Sequence, residues 1–155
     1  MTYRSMCWGS FLLFCMVIVG DRLSKIWALG SCQYEIVMSQ FVSFQCIMNR
    51  GVSWGLFHSE NNGVFLFVST CIAGVLSYFL WYMYQLWIQR KSLIAPALVL
   101  GGAMSNFVDR CLYGGVIDFI VVHYGAWTWP VFNIADIAIC VGIGLMLCKH
   151  NTCGG

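Results

Sequence analysis

Apolar residues along this chain fall into four long blocks, with polar residues gathered between them. The first block, about 7–29, admits one charged turn near its far end, Asp21-Arg22-Leu23-Ser24-Lys25. The second, about 64–88, carries no charge and closes on Trp81-Tyr82-Met83-Tyr84-Gln85-Leu86-Trp87. The third, about 92–108, contains Pro96 and the small trio Gly101-Gly102-Ala103, which lets a neighbouring helix come close. The fourth, about 131–148, has one charge, Asp136, and is preceded by Trp127 and Trp129 as an interfacial anchor. Each block is long enough to cross hydrocarbon as a helix. The pattern predicts a membrane all-α bundle of four transmembrane helices, forming a single integral-membrane domain over 1–155. Two β-prone runs, 34–38 and 41–47, predict a small strand unit in the connection 30–63.

Composition supports the same class. The chain is 60% hydrophobic and 9% charged, where a soluble domain has about 25% charged residues. Arg4, Arg90, Lys91 and Lys149 all fall on one side of a four-span bundle, and no acidic residue joins them. The positive-inside rule then puts both termini in the cytoplasm and turns the connections 30–63 and 109–130 outward. A cleaved secretory signal ending near Ala28-Leu29-Gly30 competes for the N-terminal block, and Leu29-Gly30-Ser31-Cys32 loosely resembles a lipidation box. Asp21, Arg22 and Lys25 argue against it, because they fall between the apolar core and the cleavage point. A net charge of +2, with no basic run longer than the pair Arg90-Lys91, does not suggest a nucleic-acid partner, and none is expected.

The nine cysteines form no C-x-x-C and share no ligand spacing with histidine, so no metal site is expected. Cys7, Cys15, Cys71, Cys140 and Cys148 lie in apolar blocks and act as small hydrophobes. Cys32, Cys46 and Cys111 fall outside the hydrocarbon, where a disulfide among them is open. His58, His123 and His150 read as surface or interfacial residues.

Chemistry concentrates in the aspartates. Four of the six acidic residues, Asp21, Asp109, Asp118 and Asp136, lie at or within apolar blocks. A carboxylate there costs a few kcal/mol and marks a functional site by default. The predicted topology gathers all four at the outward level. Asp21 and Lys25 are i, i+4 and can pair. Asn106, Asp109 and Arg110 share one helix face, and Arg110 can hold Asp109 ionised. A cap and interfacial anchor explains that trio equally well. Asp118 follows Gly114-Gly115 in a tight turn leading to a partly buried segment, or is simply a turn aspartate. Pro130 suits the first turn of a helix, which sets Asn133 and Asp136 at i, i+3 on one face. Asn49-Arg50-Gly51-Val52-Ser53-Trp54-Gly55 reads as a polar loop, and Gly51, Gly55 and Gly63 allow hinging of the outer connection.

Five motifs in order resemble signal peptidase II, the lipoprotein signal peptidase family of bacteria. They are Asp21-Arg22-Leu23-Ser24-Lys25, the Asn49-Arg50-Gly51 loop, Gly101 through Arg110, Gly115-Val116-Ile117-Asp118-Phe119, and Phe132-Asn133-Ile134-Ala135-Asp136. The resemblance implies an aspartic endopeptidase of the inner membrane. Such enzymes cut the signal peptide from a diacylglyceryl-modified prolipoprotein just before the lipidated cysteine. It implies Asp118 and Asp136 as the catalytic pair near the extracytoplasmic face. Asp21, Lys25, Asn49, Gly51, Asn106, Asp109, Arg110 and Asn133 are implied as supporting or substrate-binding residues. Membrane lipid is an expected partner, a monomer the expected state, and no cofactor is needed. Val52-Ser53-Trp54 departs from the small residues and Phe usual in the loop, which bears on substrate preference. The rival class is an ion- or proton-coupled transporter using intramembrane aspartates, which requires acids spread across the bilayer.

Overall fold

The computed structural model describes residues 3–51 and 59–152, with side chains as far as residue 148. Val52-Ser53-Trp54, Gly55, His58 and the side chains of Lys149 and His150 lie outside the described residues. The elements run α1 (Tyr3–Ser31), β1 (Ile36–Val37), β2 (Val42–Asn49), α2 (Asn62–Ile88), α3 (Ile94–Tyr113), β3 (Val116–Tyr124), β4 (Trp127–Thr128) and α4 (Ile134–Thr152). All four predicted helices are present. By length and composition α1 and α2 are apolar enough to cross a membrane, and residues Ile134–Cys148 form a shorter apolar helix.

The helices reverse the rule of a water-soluble core. Phe11, Met16, Val19, Leu66, Phe67 and Leu147 point outward, while Asp21, Lys25, Ser105, Asp109 and Asn133 are wholly buried. Such an exterior is favourable against hydrocarbon, with polar groups satisfied inside.

Helix α3 is central and packs against α1, α2 and α4. The small trio makes this contact close. A Cβ built on Gly102 would lie 2.3 Å from the Ala135 carbonyl oxygen, and one on Gly101 would lie 3.1 Å from the Val17 side chain. Backbone cannot move aside as a side chain can. Gly102→Ala is therefore expected to lower stability by about 1–3 kcal/mol, and Gly101→Ala by much less. Thermal midpoints in one detergent check the contrast, and equal shifts would contradict it.

Helix ends follow local chemistry. Asn61 caps α2, its Oδ1 accepting from Gly63 N at 2.7 Å. Gly63 thus sits in the first turn of α2 and is no hinge within a loop. A Schellman turn ends α2, with Arg90 N donating to Trp87 O at 3.1 Å and Lys91 N to Leu86 O at 2.9 Å. Its left-handed position is filled by Arg90, at φ 53°. Gly114, at φ 69°, ends α3 in the same hand with ordinary glycine freedom.

The strand unit is larger than its sequence suggested. A four-stranded antiparallel sheet in the order β1-β2-β3-β4 forms at one end. Only β1 and β2 come from connection 30–63. Strand β3 supplies the rest of the core pairing, with Phe44 opposite Ile120 and Ile47 opposite Asp118. Its first four residues are buried on both faces, so the alternation that marks a half-exposed strand is absent. Helix α3 also runs five residues past the expected boundary at 108, to Tyr113. The start of α4 differs too. Pro130 is not in its first turn, because Phe132 is drawn into an isolated bridge with Ile120 and helix geometry begins only at Ile134.

On the sheet's inner face, Phe119 packs with Ala28 and Cys32, and its ring lies edge-on to Trp27. Cys32 is buried, Cys46 is half-buried and Cys111 is exposed; all three are free thiols. Burial pushes the Cys46 thiol up, and Cys32 and then Asp118 add to the shift. His123 remains near the surface, its Nε2 2.8 Å from Ser43 Oγ.

Candidate active site

Side chains alternate along a strand, so anchoring Phe119 against α1 turns Asp118 to the opposite face. That face closes a cavity of about 440 Å³ whose wall is mostly apolar, with Ala103, Phe107, Val116, Val131 and Ile139 among its lining. Asp118 and Asp136 both border it, as do Asn49, Gly51, Asn106 and Arg110.

Asn133 joins the two carboxylates. Its backbone N–H donates to Asp136 Oδ2 at 3.1 Å, and its Oδ1 accepts from Asp136 N at 3.0 Å. This is a reciprocal capping box written with Asn and Asp, so Asn133 is the cap of α4 and not a residue on its face. Its amide nitrogen remains free to donate to Asp118 Oδ1, at 2.7 Å. One residue therefore sets both carboxylates at once. The β3–Phe132 bridge explains why: it delivers Asn133 beside Asp118 just as α4 begins.

Each carboxylate has a second donor. Asn49 Nδ2 reaches Asp118 Oδ2 at 2.9 Å, and Asn106 Nδ2 reaches Asp136 Oδ1 at 2.9 Å. Asn49 is held by an Asx turn, its Oδ1 accepting from Gly51 N at 2.9 Å. Arg110 secures the same loop by donating to the carbonyls of Arg50 and Gly51. Gly51 is thus buried and pinned, not a free hinge. Burial, followed by the neighbouring Asp136 carboxylate, pushes the Asp118 carboxyl up to about 7, despite the opposing pull of its Asn49 and Asn133 hydrogen bonds. Asp118 can therefore hold a proton near neutrality while a partner carboxylate stands beside it.

Behind the cavity lies a buried ionic cluster. Lys25 Nζ donates to Asp21 Oδ2 at 2.6 Å, Asp109 Oδ2 at 2.7 Å and Asn106 Oδ1 at 2.7 Å. Those three acceptors use all three ammonium protons. By occupying Asn106 Oδ1, Lys25 also fixes which end of that amide faces Asp136. Asp21 does more than pair. Its Oδ2 accepts from Ser105 Oγ at 2.6 Å, and its Oδ1 accepts from Ala135 N at 2.8 Å in the first turn of α4. A carboxylate of α1 thus seats the N-terminus of α4, where the helix dipole favours negative charge.

One pairing differs from the sequence reading. Asp109 is held by Arg22 and Lys25, not by Arg110. It also accepts from Ile117 N at 3.3 Å, tying the start of β3 to the cluster. Arg22 and Ser105 were not singled out from sequence. Arg22 carried a signal, as a charge inside an apolar block that needed a partner. Ser105 completes the i, i+4, i+8 row Gly101-Ser105-Asp109.

Apolar helices outside, a sheet over one end and paired carboxylates beneath it define the class. The fold matches a bacterial membrane enzyme solved by the in meso method at 2.3 Å, with TM-score 0.76 and 24% identity, covering 93% of this chain and 88% of that one. A second bacterial membrane enzyme, solved by the same method at 1.9 Å, gives TM-score 0.73 with 91% of each chain covered. At this identity the likeness is one of fold.

The family follows from sequence. The model of Signal peptidase (SPase) II matches residues 13–151. The lipoprotein signal peptidase of Methylorubrum extorquens is 39% identical over 139 residues, covering 82% of this chain and 77% of the relative. That of Chromobacterium violaceum is 38% identical, covering 88% of this chain and 87% of the relative. The chain belongs to the signal peptidase II family, and is a peptidase of a membrane-embedded kind.

Proposed function

We propose that this protein is an aspartic endopeptidase of the inner membrane that removes the signal peptide from diacylglyceryl-modified prolipoproteins, cutting just before the lipidated cysteine. The observation that carries the reading is the Asn133 bridge, which places Asp118 and Asp136 together on the wall of a largely apolar cavity. The relatives' shared name, lipoprotein signal peptidase, supplies the substrate class. All four helices span the bilayer as one domain, α3 and α4 included. The termini face the cytoplasm and the sheet faces outward. Arg4, Arg90 and Lys91 at one end, and the aspartates towards the other, support this polarity. The working unit is a monomer in contact with lipid. Acids clustered towards one end do not furnish a path across the bilayer, so the transporter reading finds no support.

The chemistry needs only the pair and a water. Asp118 carries the shared proton and donates it to the scissile carbonyl oxygen. Asp136, with N–H donors on both oxygens, is the ionised partner of the pair in this reading and takes a proton from the attacking water. The tetrahedral adduct then collapses: the departing amine takes the proton Asp136 had gained, and the hydroxyl formed from the carbonyl returns its proton to Asp118 as the C–N bond breaks. Asn133, Asn106 and Asn49 position the carboxylates. Asp21, Asp109, Lys25 and Arg22 hold the helices that carry them, and Arg110 fixes the Gly51 loop at the cavity mouth.

Cleavage of a diacylglyceryl-modified precursor by purified protein tests the substrate class, with the unlipidated precursor beside it. Cleavage confined to the lipidated form is expected; equal cleavage of both would remove the lipid requirement.

The pH dependence has a definite sign. Asp118, pushed up to about 7, must be protonated to act. The rate kcat/KM therefore falls as pH rises through about 7, approaching tenfold per unit above it. The pair titrates together, so this is a property of the dyad. Folding follows the same linkage. The unfolded chain releases this proton near pH 4, and the folded chain keeps it to about 7. Stability contributed by this group therefore declines across that window as pH rises. Rate profiles on both sides of neutrality check the first part, and a profile rising through pH 7 would reverse the roles.

A further inference from the structure

At the end of the bundle away from the sheet, the first turns of α1 and the last turn of α2 flank a second, open cavity of about 1000 Å³. Tyr3, Arg4, Trp8 and Phe11 line one side, and Trp87 and Arg90 the other. Its charge has no carboxylate counterion among the described residues. Among the described residues, Arg22 and Lys25 have carboxylate partners, and Arg50 and Arg110 donate to backbone carbonyls. Among the same described residues neither Arg4 nor Arg90 has a carboxylate partner, and none of the chain's six acidic side chains lines this cavity.

Three further features favour an anion here. The cavity abuts the N-terminal end of α1, where the helix dipole favours negative charge. The opposing α2 terminus is neutralised: Tyr3 Oη donates to Trp87 O at 2.7 Å, and the Schellman turn takes up Leu86 O. Arg90 also sits in the left-handed region at φ 53°, where glycine would be unstrained. A side chain kept at such a backbone position, on a residue that lines the cavity, points to a constraint beyond the turn itself.

We propose that this cavity binds the phosphate headgroup of an anionic glycerophospholipid from the leaflet at that end. Arg4 and Arg90 hold the phosphate, Trp8 and Trp87 sit at headgroup level, and Phe11 meets the acyl chains. Basic pockets between membrane helices recognise headgroups in this way. The site rests on the membrane placement proposed above and not on the peptidase chemistry.

The test uses delipidated protein in detergent, titrated with phosphatidylglycerol or phosphatidylcholine, and native mass spectrometry counts retained lipid. Wild type is expected to retain phosphatidylglycerol in preference. Arg4→Gln/Arg90→Gln is expected to lose about 30-fold of that preference, at roughly fivefold per cation. Lys91→Gln, outside the lining, should change it little. Arg90→Gly separates backbone from charge: it should melt higher than wild type without lipid, yet gain less from phosphatidylglycerol. Equal retention of both lipids by wild type, or an undiminished preference in the double variant, overturns the proposal. So does glycerol phosphate competing as well as the whole lipid, which would make this a site for free phosphate. Cleavage of lipidated precursor by the double variant in neutral detergent is read in parallel. It should match wild type, so a failed lipid site and a failed peptidase reading give different results.

Discussion

Asp118→Asn and Asp136→Asn should each lower cleavage of the lipidated precursor by about 10²–10⁴-fold while leaving the protein folded. Each variant keeps the size of the side chain and loses the ability to share or accept the working proton. On the proposed chemistry the two groups act as one unit, so the double variant should be little worse than either single one. Multiplicative losses would instead indicate two separate contributions. Single-turnover cleavage provides the measurement, with thermal midpoints confirming that the variants fold. Activity within tenfold of wild type in either variant would remove that aspartate from the chemistry. Asn133→Ala makes a useful companion, because both carboxylates depend on it. It should lower kcat more than it raises KM, as expected of a positioning residue.

The second large effect falls on stability. Lys25→Met leaves Asp21 and Asp109 buried with their central cation gone. Breaking a buried pair in this way costs about 3–5 kcal/mol, roughly 10 °C in thermal midpoint for a chain of this size. The expected loss is specific to charge. Adding Asp21→Asn and Asp109→Asn to the Lys25→Met chain should restore part of it, because the stranded carboxylates are then neutral. A Lys25→Met protein that melts like wild type would mean the cluster contributes little to holding the bundle. Activity should fall as well, since Asn106 loses the contact that fixes its amide towards Asp136.

Much of this arrangement was legible in the order of residues, and what was not has a common cause. Asp21 and Lys25 are one helical turn apart, so their pairing needs no tertiary knowledge. Asn133 and Asp136 are equally local, and only their geometry differed, a cap in place of a shared face. The error at Asp109 was assigning it to its neighbour Arg110. Consecutive residues on a helix point about 100° apart, so the two cannot easily serve one site. Arg110 turns to the loop at Gly51, and Asp109 to Arg22, 87 residues away. Such partners are fixed by how α1 crosses α3, which no periodicity records. Strand β3 was hidden for a related reason, because a segment buried on both sides loses its alternating signature. Asp118 was recognisable less from its own surroundings than from the ordered set of motifs around it.

The seat that Asp21 provides for α4 bears on how the protein comes into being. Residue 21 belongs to α1 and Ala135, which it holds, to α4, 114 positions later in synthesis. Asp136 follows directly, so its direction is settled only when α4 has joined both α1 and α3. A chain still emerging from the ribosome, with three helices inserted, therefore holds one member of the pair and lacks the other. On the proposed chemistry, hydrolysis by this pair therefore begins only after synthesis has passed α4, and a truncated product that stops before α4 should show no cleavage.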